Sequence, residues 1–249
     1  MLGNGRARSW SGCDVRNCAG SIRNAPSRCC VGRRITMCRR ARPGSRPGWW
    51  SNNAGSGRPP VVTEVIRAAA ELQAFCESQG WKFYFIGGVA LLRWGEPRET
   101  IDADLTLLTG FGGEEQFIKP LLERFEARIP DAATFALANR VLLLRARSGV
   151  GLDVALGGLP FEESAVARAS GFVFSADVSL RTCSAEDLVV MKAFAARAKD
   201  WLDVEGIIIR QTGKLDWGYI HRQLAPLAEI KGTPEILREL ERRRAEFER

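Results

Sequence analysis

From Val61 onward the apolar residues of this chain alternate between a helical period and a strand period, and that alternation limits the fold to helices packed around a sheet. Val65, Ile66, Ala69, Leu72 and Cys76 sit at helical spacing and the run stops at Gly80, which predicts an amphipathic helix over 62–79. Lys82-Phe-Tyr-Phe-Ile86 reads as a buried strand that ends in Gly87-Gly88 and leads into a short helix over 89–94. A strand over 103–108 follows, then a helix carrying Phe117, Ile118, Leu121, Leu122 and Phe125. Two more strands, over 140–147 and 151–156, are joined by the turn Ser148-Gly149-Val150. After Leu180 the pattern turns helical. Ser184-Ala-Glu-Asp187 is a capping-box-like start for a helix over 188–199, and further helices are predicted over 200–211, 217–229 and 234–247, the last with Thr233 as N-cap and Pro234 at its first position.

The first 60 residues obey neither period. They hold 12 Arg, no Lys and a single acid, Asp14, a local charge of +11, so the rest of the chain carries −4 of the net +7. The folded part is mildly acidic, and the overall positive charge says little about its partners. Punctuation by Pro43-Gly44, Pro47-Gly48 and Pro59-Pro60 predicts a disordered leader. Two readings of it stand: a basic RNA-binding arm that uses Trp10, Trp49 and Trp50, or translated upstream DNA with the true start near Val61, which the composition favours. Five of the seven cysteines (Cys13, Cys18, Cys29, Cys30 and Cys38) lie there without paired C-x-x-C spacing, and the segment has no apolar stretch to act as a secretory signal. A reducing cytoplasm is the expected compartment. Apolar runs such as 141–144 and 207–209 are far shorter than the roughly 20 residues that span a bilayer, so no membrane association is expected. The expected organisation is a leader over 1–60, an α/β core over 61–180 and a helical subdomain over 181–249.

Chemistry concentrates in three places. Asp102-Ala-Asp104 opens a predicted strand, and the two-residue period puts both carboxylates on one face. Asp153, in Gly151-Leu-Asp-Val-Ala155, interrupts an apolar strand expected in the same sheet. Carboxylates that converge in low dielectric repel unless a cation neutralises them, and three from neighbouring strands are what two Mg²⁺ ions about 3.5–4 Å apart require. Gly87-Gly88 precedes a helix N-terminus, where absent side chains let backbone N–H groups approach a phosphate. No G-x-x-x-x-G-K-[ST] or G-x-G-x-x-G follows a strand, which disfavours P-loop and dinucleotide-binding readings. Lys192 and Lys199, read as sharing one helix face, are placed to meet phosphate charge. The lone histidine, His221, and Cys183 lack neighbours for nucleophilic catalysis, and Arg242-Arg-Arg244 reads as a solvated helix face.

Taken together these residues resemble the nucleotidyltransferase superfamily, in which Gly-Gly precedes D-h-D by about a dozen residues and a third Asp lies on a later strand; here 13 residues separate Gly88 from Asp102. Phe85-Ile-Gly-Gly-Val-Ala-Leu-Leu-Arg-Trp94 and Arg98-Glu-Thr-Ile-Asp-Ala-Asp-Leu105 look like the AbiEii toxin-type branch. Asp187-Leu-Val-Val-Met-Lys192, Ala196-Arg-Ala-Lys-Asp200 and Asp203 are similar to that branch's helical signature. Ala103 departs from it by standing where a larger apolar residue is usual. The resemblance implies a nucleotidyltransferase-like mixed α/β sheet with flanking helices, followed by a small C-terminal helical bundle.

It also implies Mg²⁺-dependent transfer of an NMP from an NTP to a hydroxyl acceptor. Asp102, Asp104 and Asp153 would be catalytic and bind metal, and Gly87, Gly88, Arg98, Thr100, Lys192 and Lys199 would face the nucleotide. A toxin-like enzyme that acts on tRNA or another cellular target, with a separately encoded antitoxin, is the first expectation. A small-molecule enzyme of the antibiotic-modifying kind and a non-catalytic NTP-binding module are the alternatives.

Overall fold

The computed structural model describes residues 61–248, which lie within one compact unit. The expectations for the leader, including its cysteines and tryptophans, lie outside the described residues. The elements run α1 (Val61–Ser78), β1 (Phe83–Phe85), α2 (Gly87–Trp94), β2 (Asp102–Leu108), α3 (Glu115–Arg124), β3 (Glu126–Ala127), α4 (Ala132–Asn139), β4 (Val141–Arg145), β5 (Gly151–Gly157), α5 (Pro160–Arg168), β6 (Ser170–Val173), β7 (Ser179–Thr182), α6 (Ala185–Ala195), α7 (Ala198–Arg210), α8 (Trp217–Lys231) and α9 (Glu235–Phe247). The strands form one mixed sheet in the order β3-β4-β5-β2-β1-β7-β6. β2 pairs parallel with β5, and β1 pairs parallel with β7 and antiparallel with β2. The fold is thus the mixed α/β sheet with flanking helices expected from the sequence.

Strand alternation splits the interior into two cores. Phe83, Phe85, Ala103, Leu105, Leu107, Leu142, Leu144, Leu152 and Val154 point to one face, where they bury Val65, Ala69 and Leu72 of α1 and Ile118 and Leu121 of α3. Tyr84 points the other way, into a second core built from Ala90 and Leu91 of α2, Phe161 and Ala165 of α5, Leu188 and Val189 of α6, Ile207 of α7, Ile220 and Leu224 of α8 and Leu240 of α9. The C-terminal helices therefore pack against α2 and the sheet as well as against each other.

Several elements follow their sequence signals closely. Ser184 caps α6, with its Oγ accepting from Asp187 N at 3.1 Å, as the S-x-x-D pattern implies. Others carried weak signals. α5 begins at Pro160 because the Glu162 carboxylate accepts from Gly158 N and Leu159 N at 2.7 and 2.8 Å, closing its N-terminus. Two expectations need correction. Thr233 does not cap α9: its Oγ1 is buried without a hydrogen-bond partner, and Pro234 is the N-cap residue. The helix expected over 188–199 ends at Ala195, because Ala196 takes a left-handed conformation (φ 57°) that ends the helical path.

Candidate functional site

Because Ala103, Leu105, Leu152 and Val154 fill the first core, Asp102, Asp104 and Asp153 turn to the opposite face of the sheet. The parallel β2–β5 ladder pairs Asp104 with Asp153 and Asp102 with Gly151. Adjacent strands lie about 4.8 Å apart, so the three expected carboxylates converge on one patch. Burial, then the charge of Asp153, push the Asp104 carboxyl above the usual range, while a hydrogen bond from Gly88 N–H and the charge of Lys192 act against the shift. Asp153 is raised as well, first by burial, although Arg128 opposes it.

Gly87 and Gly88 lie directly over this patch. Gly87 has φ 58°, and a β-carbon there would run into Asp104 Oδ2; one on Gly88 would run into Thr100 Oγ1. The glycines are therefore required first by close approach to the acid-bearing strand. Thr100 is buried, and its hydroxyl donates to Asp102 O at 3.1 Å, so it braces the first acid from behind.

A second pole stands opposite, on the helices. Lys192 is buried, with Nζ 3.1 Å from Asp200 Oδ1 and 2.8 Å from Asp203 Oδ2. Arg98 holds Asp203 with a two-pronged contact, Nε to Oδ1 at 3.0 Å and Nη2 to Oδ2 at 3.1 Å, and Arg197 Nη2 donates to Asp200 Oδ1 at 3.2 Å. Three cations on two carboxylates leave this cluster with one net positive charge. Lys199 does not share a helix face with Lys192, as the sequence reading has it: the break at Ala196 places it in the first turn of α7, where it is exposed. Both lysines nonetheless line the same cleft.

That cleft has a volume of about 650 Å³, within the roughly 300–1,000 Å³ range of small-ligand sites. The acids Asp102, Asp104 and Asp153 line one side, Lys192, Arg197 and Lys199 the other, with Gly87, Gly88, Arg98 and Thr100 between them. Ile101, Leu188 and Met191 add an apolar wall that sequence reasoning missed. It also missed Arg128, which bonds Asp153, because nothing in its spacing relates it to the acids. Among the described residues no group of three or more His, Cys, Asp or Glu side chains is already arranged around a common metal position.

The remaining candidates lie elsewhere. Cys76 and Cys183 are buried, burial pushes the Cys76 thiol up to about 12 and Cys183 higher than usual, and neither lines the cleft. His221 pairs with Glu241 between α8 and α9. Arg242, Arg243 and Arg244 are all engaged by glutamates.

The family model described as "Nucleotidyl transferase AbiEii toxin, Type IV TA system" matches residues 72–248, well over half of the chain. No curated protein matches. Among solved structures, the chain is similar to an antigenic nucleotidyltransferase-like protein from Paracoccidioides brasiliensis at 18% identity and a TM-score of 0.42, covering 72% of this chain and 93% of that one. It is also similar to a lincosamide antibiotic adenylyltransferase with lincomycin bound, at 13% identity and a TM-score of 0.38, covering 57% and 94%. A third likeness, to the antibiotic-resistance factor ANT(2'')-Ia, has 16% identity and a TM-score of 0.38, covering 74% and 91%.

Proposed function

The chain belongs to the AbiEii nucleotidyltransferase toxin family, and from that premise we propose that its cleft moves an NMP from an NTP to a hydroxyl acceptor. The acceptor oxygen bonds the α-phosphorus, the bond from that phosphorus to the β-phosphate breaks, pyrophosphate leaves and the hydroxyl proton passes to solvent. The observation that carries this reading is the division of one cleft into an acidic pole on the sheet and a cationic pole on the helices. A triphosphate needs both: positive charge along its length and, at the reacting phosphorus, carboxylates able to hold a hard cation.

The donor set fits Mg²⁺. Three carboxylates converge on adjacent strands, and two are pushed above their usual range by burial, an arrangement that calls for compensating positive charge. Asp102, Asp104 and Asp153 would hold two Mg²⁺ ions, which when bound supply charge at the transferring phosphoryl group and acidify the attacking hydroxyl. Gly87 and Gly88 offer the first turn of α2 to a phosphate, and Arg98, Lys192, Arg197 and Lys199 balance its charge. Thr100 keeps Asp102 in place.

For the acceptor, a second hollow of about 270 Å³, where Arg124, Arg145 and Arg147 outnumber Glu126, supports a polyanion such as tRNA, although Arg124 also pairs with Glu71 at 2.8 Å. Arg145 is the ladder partner of Gly151, which is in turn the partner of Asp102, so this basic hollow lies two strands from the acids. The toxin family implies a separately encoded antitoxin as partner. No helix among the described residues is long and apolar enough to cross a membrane.

The full chain, incubated with Mg²⁺, an α-³²P NTP and cellular RNA, should label the RNA and release pyrophosphate, and Asp102→Ala and Asp104→Ala should each abolish both. Undiminished transfer by these variants sinks the reading. Pyrophosphate release only with an antibiotic would instead assign a small-molecule acceptor, and nucleotide binding without any pyrophosphate would assign a binding module.

A further inference from the structure

Arg128 belongs to neither pole as the sequence marks them out. It follows β3, and its backbone N–H donates to Leu143 O at 3.0 Å, which fastens this stretch alongside β4. From there the side chain reaches across β4 to Asp153 on β5 and toward Asp102 on β2. Nη2 bonds Asp153 Oδ1, and Nη1 stands 3.9 Å from Asp102 Oδ1. Gly151 makes the room: a β-carbon there would crowd Asp102 Oδ1 and lie 2.7 Å from Arg128 Nη1. The guanidinium thus lies between two carboxylates of adjacent parallel strands, through a gap that only glycine leaves open.

Its hold is incomplete. Nε is buried and has no hydrogen-bond partner, so one donor of the guanidinium is taken from water without return. The side chain keeps 22% of its exposure, which leaves it a way out toward solvent. Arg128 is held by the charge of Asp153 and Asp102 more than by a complete set of hydrogen bonds. A second cation on the same oxygens would lie within a few ångströms of the guanidinium, and two positive charges that close in a partly buried site repel strongly.

Resting on the nucleotidyltransferase reading above, we propose that Arg128 is a built-in rival of the divalent cation for Asp153 and Asp102. Cation binding then requires the guanidinium to release Asp153, and Arg128 sets the cation concentration at which the acidic pole fills. In this role it is a positioning residue: it fixes Asp153 while the cation is scarce and gives way when the cation is plentiful.

The test is a Mn²⁺ titration of the full chain, with free Mn²⁺ read by electron paramagnetic resonance, on the wild type, Arg128→Gln, Arg128→Lys and Asp153→Asn. Arg128→Gln should bind Mn²⁺ about tenfold more tightly, the lower end for loss of one charge-assisted hydrogen bond. Arg128→Lys, which keeps the charge but not the fork, should gain a smaller factor, and Asp153→Asn should lose affinity. Without added cation Arg128→Gln should unfold at a lower temperature than the wild type, and Mn²⁺ should raise its midpoint by more. Equal or weaker Mn²⁺ binding by Arg128→Gln, with the wild type still binding, overturns the rivalry and leaves the nucleotidyltransferase reading intact. If neither binds Mn²⁺, both fall. Should Arg128→Gln fail to fold, Arg128→Lys decides, and unchanged or weaker binding by it overturns the proposal.

Discussion

Asp104 and Asp153 are Cα partners across the parallel β2–β5 ladder, and their side chains share the face of the sheet that looks toward α2 and α6. Burial, then the charge of Asp153, raise the proton affinity of Asp104, while Asp153 is raised by burial and by the charge of Asp102. Arg128 relieves Asp153 directly, whereas Asp104 is offset by the Gly88 N–H and by the charges of Lys192, Arg98 and Arg197, without a direct ion pair of its own among the described residues. Burial and the charge of Asp153 therefore disfavour the ionised form of Asp104 in the folded protein.

Asp104→Asn should accordingly stabilise the protein in the absence of cation while abolishing nucleotidyl transfer. The amide keeps an oxygen for the Gly88 N–H and removes the charge that burial and Asp153 disfavour. We expect the unfolding midpoint in chelator to rise by roughly 2–4 °C, the shift that about 1 kcal/mol produces in a protein of this size. Differential scanning calorimetry gives the answer, and a lower midpoint would show that the ionised Asp104 is net favourable.

The end of α6 offers a second test. Ala196 has φ 57°, a left-handed conformation that costs a residue with a β-carbon about 1 kcal/mol and costs glycine almost nothing. Ala196→Gly should therefore raise stability by about 0.5–1 kcal/mol in urea unfolding, net of the glycine's greater freedom in the unfolded chain. A loss of stability would mean that the Ala196 methyl makes packing contacts worth more than the strain.

That same residue shows where the sequence was legible and where it was not. The acid-bearing strands could be read because their apolar residues alternate, and alternation fixes which way Asp102, Asp104 and Asp153 point. Gly87-Gly88 could be read as a turn between a strand and a helix, but the approach of Asp104 and Thr100 that requires both glycines could not, since it depends on how α2 sits over β2. The stop of α6 could not, since Ala-Ala-Arg-Ala has strong helix propensity and no glycine, and the break is imposed by Lys192, Arg197, Asp200 and Asp203 closing on each other. Arg128 was invisible because its contact with Asp153 spans 25 residues and depends on the register of β4 with β5. β3, β6 and β7 are short and, unlike the equally short but wholly buried and aromatic β1, carry too few buried apolar residues to register.

Neighbouring arginines of α9 should differ sharply in what they contribute. Arg243 bonds Glu205 of α7, pairs with Glu239 at 2.7 Å and lies 4.9 Å from the Trp201 ring centre, so it fastens α9 to α7. Arg242 is 55% exposed and, among the described residues, pairs only within its own helix, with Glu239 and Glu246 at 2.9 Å. Arg243→Ala should cost on the order of 2–3 kcal/mol, since it strands Glu205 and uncovers Trp201, whereas Arg242→Ala should leave stability nearly unchanged. Equal costs in chemical denaturation would remove the α7–α9 fastening from the account.

The buried Lys192 pair gives stability a pH dependence of known sign. Burial works to raise Asp200, but hydrogen bonds from Arg197 and Lys192 and their charges outweigh it, so the Asp200 carboxyl is held below its usual range in the folded protein. A carboxylate with a lower value folded than unfolded binds fewer protons when folded, so added acid protonates the unfolded chain first and stability falls. Its contribution is therefore fully present above the unfolded value, roughly 3.9, and is lost as pH falls through the lower folded one. Asp200→Asn should cost on the order of 3 kcal/mol at pH 7, the lower part of the range for breaking a buried pair, because Lys192 keeps Asp203 at 2.8 Å. Urea unfolding of wild type and variant between pH 7 and pH 3 should show that difference constant near neutrality and shrinking only in the acid range. A difference that stayed flat to pH 3 would mean Asp200 contributes through packing and not through its charge.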